Sequence, residues 1–494
     1  MTGATMNSRT IVGVVGAGSM GAGIAQIAAQ AGHAVIVVDQ DELALARGRD
    51  AVAKNVAAIV KRGKLADDDA RALTGRIRWT IDAADLASAG LVIEAIVENA
   101  EVKQSLFSKL ERTLGAGAVI ATNTSSLSVT ALARGLARPE RFLGLHFFNP
   151  APVMKLVEVV SGAATDPAIA KSAVDLVKSW GKEAVEAKDV PGFIVNRVAR
   201  PFYGEGWRAL EEGAADAATI DFLFRDLAGF RMGPLELGDF IGHDINYTAA
   251  KTVFDAYRGK TRFTPAAAQG RLVAAGRLGR KSGAGVYDYK EGAPQPAPNL
   301  EEGAQVAAVA IRVSPAAKSI SALLSSAGAK SSPDSEVPHD CALIGGAAVK
   351  FCDGGSARAE ATAYGRPAAI LDWMRDPAAA SSIAFAASNE EAAQGAQALA
   401  AACGKKTVRL KDRPGLVVSR TLLQLANAAC DAVRDGVADS DGIDRAMRYG
   451  ANYPFGPLEW AASYGFGEVA RALDAIADET GDAMYRASDF LRAR

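Results

Sequence analysis

The chain has 494 residues, 49% hydrophobic and 22% charged, with a formal net charge of −1. It is too long for one core, and its charge is too balanced for a nucleic-acid or membrane-surface binder, which would carry a basic patch. Cys341, Cys352, Cys403 and Cys430 form no C-x-x-C pair and read as reduced thiols of a cytoplasmic protein, so neither a disulfide frame nor a metal site is expected.

The opening "MTGATMNSRT" is polar and carries no secretory signal, and no segment reaches the roughly 18 apolar residues of a membrane span. "TIVGVVGAGSMGAGIAQIAAQAGHAVIVVD" then predicts a strand at 11–15, a helix at 21–31 ended by Gly32-His33, and a second strand. His33 reads as a cap of that helix. Gly16, Gly18 and Gly21 spell G-x-G-x-x-G between strand and helix: a tight turn, a close approach for a pyrophosphate, and close helix–strand packing. The helix N-terminus offers free N–H groups to the phosphates. Asp39 ends the second strand where an acid would hold the adenine ribose hydroxyls. No arginine follows it to accept a 2′-phosphate, so NAD is favoured over NADP.

A helical stretch ending in "VKRGK" comes next, then a buried strand at 91–96 followed by Glu98 and a helix. "GAVIATNTSS" and "RFLGLHFFNP" are two more strands, ending at Ser125 and His146. Strand carboxyl ends line the ligand crevice of doubly wound sheets, so Glu98, Ser125 and His146 point to one site. A helix is predicted at 167–180. "KDVPGFIVNRV" opens a long Ala-rich helical region that "GRLGRKSGAGVYDY" closes, and "KEGAPQPAPNLEEG" reads as a linker.

The later sequence repeats the helical region at an offset of 223 residues: "KDVPGFIVNR" meets "KDRPGLVVSR", and "GPLE" meets "GPLE" without a gap. The chemistry is not kept. Asn196 falls on Ser419; if the offset holds upstream, His146 falls on Ala369 and Glu158 on Ser381. The region between linker and second copy has the look of an α/β unit without a glycine fingerprint, and the second half reads as scaffold.

The motifs "GAGSMG" with Asp39, "VIEAIVEN", "NTSSL", "LHFFNPAPVMKLVEVV", "PGFIVNR", "GPLEL" and "GRLGRKSG" resemble the L-3-hydroxyacyl-CoA dehydrogenase family over residues 9–290. The long format with a degenerate second half is similar to the 3-hydroxyadipyl-CoA and 3-hydroxybutyryl-CoA dehydrogenases of bacterial aromatic-acid catabolism. The resemblance implies α/β and all-α layers: a Rossmann-type NAD-binding domain (9–188), a helical domain (189–290), a linker (291–300), a degenerate α/β unit (301–410) and a second helical domain (411–494). It implies His146 as general base, Glu158 as its partner, Ser125 and Asn196 beside the reacting carbon, and Glu98 and Lys103 near the cofactor. Coenzyme A carries phosphates, and Lys61, Arg62 and Lys64, at helix-like spacing, are expected to supply a contact to them. The resemblance also implies that members with one domain pair dimerise through their helical domains. Here the two copies are expected to form that interface within one chain, which is then a monomer or a homodimer.

The chemistry agrees with the resemblance. Oxidising a secondary alcohol needs a base for the hydroxyl proton while hydride leaves, and histidine as a residue type titrates near working pH. Glu158, in the apolar run "KLVEVV", is placed to fix the imidazole tautomer, and serine and asparagine can hold substrate oxygens. Two other functions share the scaffold. A hydroxyacid dehydrogenase of the 6-phosphogluconate type would use a lysine base and leave "HFFNP" unexplained. A non-catalytic NAD-binding protein would have no need of His146 or Glu158.

Overall fold

A computed structural model describes residues 6–301, 309–338 and 340–494. These fall into two compact units, one of the chain up to Arg197 plus Asp435–Ala451, the other of Val198–Arg434 plus Asn452–Arg494.

The first unit is built on eight strands: β1 (Val12–Val15), β2 (Val35–Val38), β3 (Ile77–Thr80), β4 (Leu91–Glu94), β5 (Val119–Thr122), β6 (Phe142–Phe147), β7 (Leu156–Ser161) and β8 (Glu183–Lys188). Their order is β3-β2-β1-β4-β5-β6-β7-β8. All neighbours run parallel except β6 and β7. The four residues of β1, of β2 and of β5 are all buried, as continuous Val/Ile runs demand in a sheet covered on both faces. Ile24 and Ile27 of the helix Ser19–Gln30 and Ile169, Val174 and Val177 of the helix Pro167–Ser179 belong to the core that covers it. The chain reverses direction across the sheet between β1 and β4, and that switch point is where such sheets bind ligands.

His33 caps the helix Ser19–Gln30 through its backbone, its N–H donating to the Ala28 carbonyl (3.1 Å), and its side chain does more. Its Nδ1–H donates to the Thr10 carbonyl (2.8 Å), and its Nε2 accepts from the Trp180 indole (2.9 Å), so the buried ring ties three segments together.

The second unit holds β9 (Ile311–Val313), β10 (Ser332–Pro333), β11 (Ala342–Ile344), β12 (Ala347–Phe351), β13 (Ala368–Leu371), β14 (Ser382–Ala387) and β15 (Lys406–Arg409). From β12 to β15 the pairing runs parallel, antiparallel, parallel, repeating β5 to β8. Asp189 accepts from the N–H groups of Val129 and Thr130; Asp412, 223 residues on, accepts from those of Ala357 and Arg358.

Backbone geometry repeats with the same offset. Phe193 (φ 44°) and Leu416 (φ 51°) are both left-handed, as are Arg258 (φ 56°) and Gly481 (φ 70°). Only a turn dictated by the surrounding fold would hold non-glycine residues there.

The offset does shift upstream of this region. Glu158 pairs with Val185 and Ala384 with Val408, and Val185 and Val408 are equivalent, so Glu158 matches Ala384 rather than Ser381. The cross-strand partner of Glu158 is His146, and the residue bonded to Ala384 is Asp372, so His146 matches Asp372 rather than Ala369. Three extra residues in the loops account for the discrepancy, which an ungapped comparison cannot register.

The five segments expected from sequence do not coincide with the two units, because the halves exchange helices. The helix Ser440–Gly450 of the second copy packs on β7 and β8 of the first unit. Conversely, Ser381 and Ser382 donate to Asp226 of the first helical copy. The Lys188 N–H donates to the Val437 carbonyl, and the equivalent Lys411 N–H to the Ala214 carbonyl. Arg197 pairs with Asp435, and its equivalent Arg420 with Glu212. Within the second unit the helices Arg200–Glu211 and Val418–Arg434 pack together, and Phe230 meets its own equivalent, Tyr453, with ring centroids 5.0 Å apart.

Candidate active site

The glycine turn fits a dinucleotide. Gly16 (φ 105°) allows the chain to double back, and a Cβ on Gly21 would sit 1.9 Å from the Gly16 carbonyl oxygen. Space beside Gly18 is open, with nothing within 4 Å of a Cβ there. The helix Ser19–Gln30 begins directly after it, with no side chain capping its N-terminus, so its first N–H groups remain available to phosphate oxygens. Asp39 follows β2, and one of its oxygens accepts from the Ala17 N–H (2.8 Å), so the acid also shapes the loop. Asp39→Ser is therefore expected to narrow the preference for NADH over NADPH and to weaken NADH binding. The ratio of kcat/KM for the two cofactors checks this, and an unchanged ratio refutes it.

Beyond β4 and β5 lies a carboxylate cluster. Glu98 accepts from the Thr124 hydroxyl (2.6 Å), the Ser125 N–H (3.0 Å) and the Ser126 hydroxyl (3.0 Å), and lies 3.2 Å from the Lys103 ammonium. Burial works against the charge of Glu98, but the Thr124 hydrogen bond and Lys103 outweigh it and hold the carboxyl below its ordinary range. Lys103 is 1% exposed and also pairs with Glu94 at 2.5 Å. Its ammonium is thus engaged by two carboxylates and positions Glu98 and the "NTSS" turn. Sequence reasoning passed over Glu94, fully buried and accepting from the Thr122 hydroxyl; a glutamate inside the apolar run "LVIE" was the available signal.

On β6 and β7 the histidine and glutamate face each other across the antiparallel register. His146 Nδ1 lies 2.6 Å from Glu158 Oε2; a carboxylate only accepts, so Nδ1 is the donor and Nε2 is the acceptor of the neutral ring. The other oxygen of Glu158 accepts from the N–H groups of Ile194 (3.0 Å) and Val195 (2.9 Å). One buried carboxylate thereby fixes the ring and the start of the helix Val195–Val198 that carries Asn196. Phe148 and Phe193 pack on the imidazole, with centroids at 4.4 and 5.8 Å. The Asn196 amide reaches the Ser125 carbonyl at 3.5 Å. Ser125, His146, Glu158 and Asn196 therefore converge, as do Glu98 and Lys103 through the "NTSS" turn.

Lys61, Arg62 and Lys64 are placed differently from expectation. Lys61 ends the helix Glu42–Lys61, Arg62 caps it, and Gly63 turns left-handed (φ 68°), so the three share a turn rather than a helix face. All three are exposed and form no ion pair among the described residues. The second half keeps a carboxylate but not the pair: Asp372 accepts from the N–H groups of Val417, Val418 and Ser419, the role Glu158 plays at Ile194 and Val195, and no histidine among the described residues accompanies it.

Comparison with known proteins places this geometry. Residues 11–190 match the NAD-binding domain of 3-hydroxyacyl-CoA dehydrogenase, and 192–289 and 415–494 both match its C-terminal domain. The chain belongs to the 3-hydroxyacyl-CoA dehydrogenase family. Residues 349–414 match a reduced Rossmann-fold domain described for 3-hydroxybutyryl-CoA dehydrogenase. A 3-hydroxyadipyl-CoA dehydrogenase of Escherichia coli strain K12 is 42% identical, covering 98% of this chain and 97% of the relative. A probable 3-hydroxybutyryl-CoA dehydrogenase of Deinococcus radiodurans is 41% identical over 56% of this chain and 99% of its own. A crystal structure of 3-hydroxybutyryl-CoA dehydrogenase from Escherichia coli K12 superposes with a TM-score of 0.90 at 40% identity, covering 99% of this chain and 98% of that one. Like its family, this is an NAD-dependent oxidoreductase. No helix among the described residues is long and apolar enough to cross a membrane, and none of them cluster as a metal site.

Proposed function

We propose that His146 is the general base in the oxidation of (S)-3-hydroxyacyl-CoA to 3-oxoacyl-CoA, and the acid in the reverse direction. The observation that carries this is the His146–Glu158 contact, which leaves Nε2 as the free proton acceptor on a ring that cannot turn away. NAD, when bound, supplies the hydride acceptor. The chain's residues do the rest. Nε2 takes the hydroxyl proton, Glu158 stabilises the imidazolium through Nδ1–H, and Ser125 and Asn196 orient substrate oxygens. Glu98, held ionised by Lys103, Thr124 and Ser125, stands where the cofactor-side residues converge. The test is absorbance at 340 nm with acetoacetyl-CoA and NADH: loss of NADH supports the reading, and its persistence at high enzyme concentration overturns it.

Lys61, Arg62 and Lys64, exposed and free of carboxylates, are proposed to meet the CoA phosphates. Replacing all three with glutamine is expected to raise the Michaelis constant for the thioester severalfold while leaving that for NAD unchanged, as loss of point-charge contacts requires. Equal effects on both would reject the assignment.

The second helical copy is proposed to serve as an internal partner that completes a pseudo-dimer. The reciprocal exchanges of Lys188 with Val437 and Lys411 with Ala214, and the Phe230–Tyr453 contact between equivalent residues, support this, since a two-fold interface brings position i onto its own copy.

A further inference from the structure

Asn123 stands one residue beyond β5, and its backbone N–H carries the ladder on to the Glu94 carbonyl (2.9 Å). Its side chain turns to the neighbouring strand, where Oδ1 accepts from the Phe147 N–H at 2.9 Å. Phe147 follows His146 on β6, so this bond ties the amide to the strand that carries the base. Only the oxygen of a carboxamide accepts from an N–H, so the amide has one orientation and Nδ2 faces away from Phe147. Asn123 is half-buried, and its Nδ2 has no acceptor among the described residues. The donors already placed beside the base are less free. The Ser125 hydroxyl has Glu98 at 3.5 Å, and the Asn196 amide has the Ser125 carbonyl at 3.5 Å.

The sheet itself does not require an asparagine here, and the duplication provides the internal control. Val129 and Thr130 on Asp189 correspond to Ala357 and Arg358 on Asp412, and the pairing of Thr122 with Gly144 corresponds to that of Lys350 with Ile370. Both place Phe351 at the position of Asn123. The counterpart of the Phe147 N–H is that of Trp373, which donates to Asp372 Oδ1 (2.9 Å) and to the Ser419 hydroxyl (3.0 Å). The same strand junction therefore forms with a different acceptor in the half that has lost the histidine. What the asparagine adds is a pair of N–H groups, held in place by the bond its own oxygen makes.

We propose that Asn123 is a further catalytic residue, its Nδ2 donating to the substrate oxygen on the reacting carbon as that oxygen gives up its proton to His146. This rests on the dehydrogenase reading above. The O–H bond breaks toward Nε2 while hydride leaves the carbon for the nicotinamide, so negative charge gathers on the oxygen until the carbonyl is complete. An amide oriented in advance stabilises that charge and has no proton of its own to lose. The bond from Phe147 to Oδ1 makes one strand, β6, fix both the base and this donor.

The test follows turnover of the full chain with acetoacetyl-CoA at saturating NADH. Asn123→Asp keeps the acceptor for the Phe147 N–H and removes both donors, so a role confined to the backbone predicts turnover near wild type. The donor role predicts a fall in kcat of about a hundredfold at neutral pH, the usual cost of losing one oxyanion donor, with the KM for the thioester changed far less. The ratio of variant to wild-type kcat should then rise as pH falls from about 8 to about 5, because a protonated carboxyl regains a donor. Asn123→Leu, neutral and similar in shape, separates the lost donor from the added charge. It should lose kcat to a similar extent while circular dichroism and NADH affinity by fluorescence stay near wild type. Near-normal turnover in either variant overturns the proposal, as does a loss confined to NADH affinity. Should Asn123→Leu not fold, Asn123→Asp decides alone, and a kcat ratio that does not move with pH overturns it. A wild type that consumes no NADH defeats the dehydrogenase reading, whereas an active wild type with an equally active Asn123→Asp defeats only the role of Asn123.

Discussion

His146→Gln lowers turnover by at least about a hundredfold, the usual loss when a positioned general base is removed, while NADH binding changes little. The glycine turn and Asp39, proposed to hold the cofactor, share no hydrogen bond with the imidazole, so the two effects separate. Glu158→Gln acts in the same direction, for a reason the geometry makes specific. Glu158 accepts from His146 on one oxygen and from two backbone N–H groups on the other. A glutamine has one accepting oxygen and must aim its amide donors at the histidine or at the helix start. Either choice sets donor against donor, loosening the tautomer or the turn that presents Asn196. Single-turnover absorbance at 340 nm, with NADH affinity measured separately by fluorescence, checks both variants. A His146→Gln enzyme with near-normal turnover would reject the assigned role.

Much of this site was legible because its residues sit where short sequence patterns meet strand ends. The glycine turn, Asp39, Ser125 and His146 each follow an apolar run, and parallel strands bring such ends together whatever the intervening length. Glu158 and Asn196 were legible only through family resemblance, since nothing local in "KLVEVV" or "FIVNR" reveals the N–H groups of Ile194 and Val195 converging on one carboxylate. Glu94 went unseen for the same reason: its partner Lys103 lies a helical turn into the next element. The turn at Gly63 escaped because helical spacing in "VKRGK" says nothing about where the helix stops. Helix exchange between the halves was beyond the sequence. A repeat reveals that two copies exist, but not which copy of a helix packs on which sheet.

The other large effect concerns stability. Glu205 of the helix Arg200–Glu211 is 1% exposed and faces three guanidiniums: Arg208 Nη1 at 2.9 Å, Arg420 Nε at 3.2 Å and Arg413 Nη2 at 3.7 Å. The Tyr485 hydroxyl donates to it as well, at 3.0 Å. Arg413 and Arg420 belong to the second copy, so this one carboxylate joins the two helical repeats where Ala428 stands at the equivalent position. Burial alone would raise its pKa, but Arg208, Arg420, Arg413 and Tyr485 outweigh burial and hold the carboxyl below its ordinary range. Arg413 gains least, because burial and the neighbouring Arg420 outweigh its own attraction to the acid. Glu205→Gln keeps the shape and removes the charge, leaving Arg413 and Arg420 only the half-exposed Glu212. Stripping one partner from a buried ionic cluster costs about 3–5 kcal/mol, which is expected to appear as a lower denaturant midpoint for the transition followed by helical circular dichroism. The pH dependence has a fixed sign. A carboxyl whose folded pKa lies below its unfolded value of about 4.3 contributes its stability fully above that value. The contribution fades as pH falls through the folded pKa, so the gap between wild type and Glu205→Gln should be widest near neutrality and close progressively below about pH 4. A gap that does not change with pH, or no gap at all, would show that the charge of Glu205 does not hold the two repeats together.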